Sequence, residues 1–178
     1  MSKQICFLYT DTNGLHNTDE NVSTKNLYNF ARLIAVHYSI GTYDSGIYNE
    51  IKRSSKIIKP DTINFDKVAM KFHNITLERA TKEGIVNTIV ISELKEDLKN
   101  VEVIVSHSLP FYLKSIQVEC FRTAINIDFS KFILIDTMTF GHSHSFPKLN
   151  VLVKSLKLNN ISQLDNIIQV FIKLYNDI

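Results

Sequence analysis

FLYTDTNGLH, Phe7 to His16, is an apolar run that breaks abruptly into Asp, Thr, Asn and Gly. An unbroken apolar stretch ended by turn formers reads as a short buried strand, here Ile5 to Tyr9. The polar residues 13 to 26 that follow read as a loop. From Asn26 to Ile40, NLYNFARLIAVHYSI, and again around Ser45 to Lys52, two more strands are expected. The tight turn GTYDSG joins them. Ala, Leu and Arg in the first of these leave a helical reading open.

Further along, Pro60 opens a helical stretch, DTINFDKVAMKFH, and Thr76-Leu-Glu-Arg-Ala starts another. Glu93 to Asn100 ends a third helix. Val101 to Val105 is a second buried strand, and Pro110 sits in the first turn of the helix after it. Phe132 to Ile135 is a third apolar strand, ending at Asp136-Thr137. In the last helix Leu164, Ile167, Ile168, Phe171, Ile172 and Tyr175 fall on one face at spacings of three and four. Apolar strands separated by helices, with a hairpin early on, predict an α/β fold with a mixed central β-sheet flanked by α-helices.

The bulk properties agree. A chain of 178 residues suits a single domain, 1–178, with a substantial core. Its 44% hydrophobic and 21% charged residues are those of a globular protein. No apolar run approaches the ~18 residues of a membrane span, so no membrane partner is expected. The basic, then apolar N-terminus runs into Asp11 without a small-residue cleavage site and reads as a strand. Cys6 and Cys120 lie in apolar stretches, as buried reduced thiols do, which implies a reducing compartment, cytoplasmic or nuclear. A net charge of +2 neither requires nor excludes nucleic acid. Abundant Ile, Asn and Lys with no Trp fit an A/T-rich coding genome, as in some viruses, phages and low-GC bacteria, and so a virus-infected host cell.

Taken in order, several phrases resemble the DEDDh family of 3′–5′ exonucleases. Tyr9-Thr10-Asp11-Thr12-Asn13-Gly14-Leu15 stands where that family has Asp-Thr-Glu-Thr-x-Gly-Leu. Lys59-Pro60 and His73-Asn74-Ile75-Thr76 match its middle. His107-Ser108-Leu109-Pro110-Phe111-Tyr112 falls on its His-Asn-x-x-Phe-Asp, and Ile135-Asp136-Thr137 on its Ile-Asp-Thr. Asn160-Ile161-Ser162-Gln163-Leu164-Asp165-Asn166 falls on its His-x-Ala-x-x-Asp-Ala. No single phrase is specific; their order along nearly the whole chain is. The resemblance implies a ribonuclease H-like fold.

It also implies which positions once carried chemistry. In the family four carboxylates hold two divalent ions, Mg²⁺ or Mn²⁺, and a histidine is the general base. Aligned without gaps, those positions are Tyr9, Asp11, Tyr112 and Asp165, with Asn160 at the histidine. A phenol with a pKa near ~10 does little to offset a divalent ion's charge. Asparagine cannot take and return a proton as histidine does. The expectation is an inactive exonuclease-like domain that needs no cofactor. It would bind single-stranded nucleic acid, a protein partner, or both, in a replication, transcription or repair assembly. Tyr9, Asp11, Asn13, Gly14, Leu15, His107 and Tyr112 are the candidate nucleic-acid contacts, the two tyrosines by stacking bases. The alternative is an active, metal-dependent 3′–5′ exonuclease with an atypical ligand set, in which Asp11 and Asp165 hold Mg²⁺ or Mn²⁺. A shortened first loop, which moves Asp11 onto the first Asp position, would favour it.

Plainer roles compete at each position. Asp11 before Thr-Asn-Gly suits a turn residue that bonds its own backbone. Ser162-x-x-Asp165 reads as a capping box, and Asp136 as a turn or helix cap. His107 suits a histidine satisfied by a backbone carbonyl. His142 and His144 read as an exposed loop. The basic stretch Lys52-Arg53-Ser54-Ser55-Lys56 suits phosphate contact, with Lys154 and Lys157 from the opposite side, but clusters this small read rather as solvated surface. A Ser/His/Asp hydrolase lacks its Gly-x-Ser-x-Gly elbow, and no phosphate-cradling or dinucleotide glycine motif occurs.

Overall fold

Why the first strand is unbroken in its apolar run is plain from its neighbours. In a computed structural model describing residues 3–61, 66–139 and 146–175, strand β1 (Lys3–Thr12) is the centre of a five-stranded sheet. On one side it pairs antiparallel with β2 (Leu33–Asp44), which pairs antiparallel with the edge strand β3 (Ile47–Ile57). On the other it runs parallel to β4 (Val103–Ser106), itself parallel to β5 (Ile133–Asp136). The order is β3-β2-β1-β4-β5.

Helices cover both faces, so alternate residues of β1 enter separate cores. Cys6 and Leu8 pack with Ile91 and Leu94 of α3 (Asn87–Asp97) and Ile116 of α4 (Leu109–Thr123). Ile5 and Phe7 pack with Ile167 and Phe171 of the last helix, Gln163–Leu174. Phe7 meets Phe171 edge to face at 5.2 Å, the favoured aromatic geometry. Cys6 and Cys120 are free and buried, as expected.

The early hairpin is longer than its sequence implies. Both strands run on until only Ser45 (φ 50°) and Gly46 (φ 81°) are left to turn the chain. Two consecutive left-handed residues match the right-handed twist of a two-residue hairpin. Gly41 pairs within the ladder, where a Cβ would lie 2.2 Å from the Asn49 carbonyl oxygen. The first half of Asn26–Ile40 is not strand: Leu27–Asn29 is a short 3₁₀ turn, and β2 begins only at Leu33. The helix expected from Asp61 is seen from Lys67, as α1 (Lys67–His73), where Asp66 Oδ1 caps the amides of Val68 and Ala69. Next comes α2 (Leu77–Glu83), capped by Thr76. A short α5 (Leu149–Ser155) precedes the last helix, α6. No helix among the described residues is long and apolar enough to cross a membrane.

His16 pins the long loop to α4. Its Nδ1 accepts the Ala31 N–H at 3.1 Å, Nε2 lies 3.3 Å from the Phe111 carbonyl, and the ring stacks on Phe111. An acceptor at Nδ1 and a donor at Nε2 describe the neutral ring. Burial lowers its pKa below the usual value, and Lys114 adds to that against the opposite pull of the Phe111 carbonyl. A lowered histidine contributes stability fully above the unfolded value of ~6.5. That contribution is lost as pH falls through ~6.5 toward the folded value. The urea midpoint should therefore drop between pH 7.5 and 5.5, and the drop should shrink in His16→Gln.

Candidate functional site

Four of the positions picked out by the sequence converge at one end of the sheet. Tyr9 and Asp11 alternate with the buried Thr10 on β1, so both side chains leave one face of the sheet. Tyr112 comes from the first turn of α4 and Asp165 from the first turn of α6. Tyr112 Oη accepts a hydrogen bond from Gln163 Nε2 at 2.9 Å, tying the two helix starts together. Two adjoining hollows of about 470 and 760 Å³ meet at Asp11, Phe72, His73 and Gln163; Tyr9 lines the smaller and Tyr112 the larger, and Asp165 lies outside both linings.

Each carboxylate already has partners. Asp11 Oδ2 lies 3.0 Å from His37 Nε2, and Asp165 Oδ1 lies 2.7 Å from the Arg53 guanidinium. Asp11 is thus a strand residue held across to β2, not the self-bonded turn residue expected; β1 runs on past it to Thr12. The turn bond belongs to Thr12, whose Oγ1 donates to the Gly14 carbonyl. Asp165 keeps its expected capping role: Ser162 Oγ accepts from its amide at 3.2 Å and lies 2.6 Å from its Oδ2. Partial desolvation opposes ionisation there, but the Ser162 hydroxyl and Arg53 outweigh it and lower the carboxyl pKa.

The phenols are held neutral. Burial, then the charge of Asp11, then Tyr112 and Asp165, raise the pKa of Tyr9 far above that of a free tyrosine. Burial and then Asp11 push Tyr112 up to about 12. The Tyr9 ring stacks on the His37 imidazole with centroids 4.3 Å apart and planes 10° from parallel.

The remaining candidates separate. Gly14 and Leu15 form the lip of the larger hollow, with Leu15 79% exposed. Asn13 is a clasp: its Oδ1 accepts from Arg32 N–H at 2.7 Å and its carbonyl from Asp66 N–H. Asn160 is exposed and accepts from Asn166 Nδ2, away from the cleft lining. His107 is buried beyond β4, with Nδ1 3.0 Å from Thr137 Oγ1. That hydroxyl relays to the Ser106 carbonyl. Asp136 caps α4 as expected, accepting from the amides of Ser108 and Leu109. His142 and His144 lie outside the described residues. The basic stretch is paired rather than merely solvated, with Lys52 on Asp97, Arg53 on Glu50 and Asp165, and Lys56 on Glu93.

His37, which sequence alone did not single out, and Arg53, a member of the basic stretch, complete the site. His37 is the lone histidine in the apolar run LIAVHYSI and directly opposes Tyr9 across the sheet. Strand alternation was the signal that could have found it.

These donors do not fit a pair of divalent ions. Such ions demand several anionic oxygens. The aligned positions offer two carboxylates, Asp11 and Asp165, each already paired with His37 or Arg53, and two neutral phenols; the other acids of the hollows, Asp66 and Glu83, respectively cap α1 and pair with Arg79. Among the described residues no three His, Cys, Asp or Glu side chains gather closely enough to hold one ion.

Strand order and helix placement define a ribonuclease H-like α/β domain. Its likeness is to exonuclease I. The apo enzyme matches with a TM-score of 0.72 at 13% identity, over 97% of this chain and 42% of that one. An SSB/exonuclease I structure with the inhibitor CFAM gives 0.74 at 12% identity, over 98% and 41%. E. coli exonuclease I in complex with a dT13 oligonucleotide gives 0.70 at 14% identity, over 98% and 40%. The chain therefore spans about two-fifths of the exonuclease I chains it resembles. The likeness is one of fold. No protein-family model matches the sequence, and no curated protein matches it.

Proposed function

We propose that this chain is an exonuclease-like domain without two-metal hydrolysis, which binds single-stranded nucleic acid in the cleft. The observation that carries this is the convergence of neutral Tyr9 and Tyr112 with Asp11 and Asp165, each carboxylate already matched by His37 or Arg53. Aromatic faces suit stacking of unpaired bases, and the rim adds Phe72, which is 84% exposed. Lys56 and Arg79 line the smaller hollow. Their acidic partners form partly or largely exposed pairs, worth little, that a phosphate can displace. Exonuclease I itself has been seen with oligonucleotides and in an ExoI/SSB-Ct complex. The reading extends to a place in a replication, transcription or repair assembly.

The test is binding of a labelled single strand across a salt series. Affinity is expected to fall linearly in log–log form, with a slope set by the number of phosphates contacted. Absence of binding at low salt, together with a stable co-purifying protein, would replace this reading with that of an interaction subunit. With Mg²⁺ or Mn²⁺ present, a 3′-labelled strand should stay intact. Degradation lost in Asp11→Ala and Asp165→Ala would establish an active exonuclease instead.

A further inference from the structure

On the floor of the smaller hollow three side chains, Ser55, His37 and Asp11, form a line. Ser55 on β3 lies directly opposite His37 on β2, and its Oγ is 2.8 Å from His37 Nδ1. The other ring nitrogen, Nε2, is 3.0 Å from Asp11 Oδ2. As a carboxylate Asp11 can only accept, so Nε2 carries the proton and Nδ1 presents its lone pair to the Ser55 hydroxyl. The stacked Tyr9 ring fixes the imidazole plane. Both His37 and Asp11 side chains are largely buried, at 13% and 17% exposure, whereas Ser55 is exposed to the hollow.

A histidine–serine pair across two strands is an ordinary sheet contact. The carboxylate behind the ring and the open space before the hydroxyl make this one more than that. We propose that Ser55, His37 and Asp11 form a nucleophile–base–orienting relay that accepts an acyl group from small activated carboxylic esters. The sequence has no nucleophile elbow; the three residues are brought together by pairing of separate strands. The two ring nitrogens are exchanged relative to the serine-protease arrangement, and either nitrogen of a neutral imidazole can serve as base.

The chemistry balances without a further reactant but water. Ser55 Oγ attacks the acyl carbon while His37 Nδ1 takes its proton. The intermediate collapses, the bond from acyl carbon to leaving oxygen breaks, and the imidazolium returns the proton to that oxygen. Water then attacks the acyl-Ser55 ester with His37 again as base. The Oγ–carbon bond breaks, the proton passes to Oγ, and the carboxylic acid departs. Arg79 and Lys56 in the same hollow are the donors at hand for the oxyanion. They are flexible side chains rather than fixed amides, so turnover is slow and the covalent adduct is the species to observe.

The experiment uses an alkyl fluorophosphonate reporter, which forms an Oγ–phosphorus bond as fluoride leaves. Labelling is read by intact mass and peptide mapping, without oligonucleotide, so its outcome is separate from that of the binding assay. One adduct is expected, on Ser55. It should be absent in Ser55→Ala and should form about 100-fold more slowly in His37→Gln and Asp11→Asn. Ser130→Ala, on the 3₁₀ turn Phe129–Lys131 outside the hollow, should label like the parent. Thermal unfolding verifies that each variant is folded. If His37→Gln is not, the Ser55→Ala and Asp11→Asn results decide. No adduct under conditions that fully label a serine protease would overturn the proposal, as would one that persists in Ser55→Ala or an unchanged rate in Asp11→Asn.

Discussion

Replacing Glu119 with alanine is expected to lower stability by about 3 kcal/mol, the low end for breaking a buried ion pair. The side chain is 1% exposed on α4. One carboxylate oxygen accepts from Arg32 Nε at 3.0 Å and from Arg122 at 2.8 Å, and the other accepts from Asn87 Nδ2 at 2.7 Å. Arg32 continues to Asp61 and Arg122 to the Leu27 carbonyl. One carboxylate thus joins the start of β2, the start of α3, the middle of α4 and the long loop. Alanine leaves two half-buried guanidiniums and an amide without their acceptor. The arginines are 22% and 20% exposed, so water relieves part of the loss. The urea midpoint should fall by about 2 M for a domain of this size. Glu119→Gln, which keeps the shape and one acceptor oxygen, should lose less. A midpoint unchanged in Glu119→Ala would show that the network adds nothing to the fold.

Tyr112→Ala is expected to weaken single-strand binding by about 5- to 150-fold, the effect of removing one stacked base, ~1–3 kcal/mol. Tyr112→Phe should bind nearly as the parent does, because the ring stacks and the hydroxyl only meets Gln163. The two substitutions separate stacking from a merely structural bond. The salt slope should not change in either, since no phosphate contact is removed. Arg79→Ala should instead lower the slope by about one. Fluorescence anisotropy with a short labelled oligonucleotide reads all three. Equal losses for Tyr112→Ala and Tyr112→Phe would argue against stacking.

What was legible in the sequence divides along physical lines. β1, β4 and α6 were readable because their apolar patterns report burial directly: Phe7 and Leu8 face opposite cores, and Leu164, Ile167 and Phe171 form one stripe. β5 was legible from its apolar run alone, since Ile133 and Leu134 are exposed. Local caps were readable too, as at Thr76, Ser162 and Asp136. The convergence of Tyr9, Asp11, Tyr112 and Asp165 agrees with the order of phrases that resembles the exonucleases. What escaped is what the sheet brings together from afar. Asp11 was read as a turn residue because Thr-Asn-Gly follows it, whereas pairing with Ala35 extends the strand through it. His37, Ser55 and Arg53 acquire roles only once β2 and β3 are in register, and a one-residue slip would turn each to the other face. The Glu119 network spans 87 residues between Arg32 and Glu119 and has no local signature.

The most direct measurement is a Mn²⁺ titration of the whole chain, read by calorimetry and by the spin signal of free Mn²⁺. Two phenols and two pre-engaged carboxylates predict no cleft-dependent binding up to millimolar Mn²⁺ and no difference between the parent and Asp11→Asn/Asp165→Asn. Two Mn²⁺ per chain, lost in that double variant, would contradict the account.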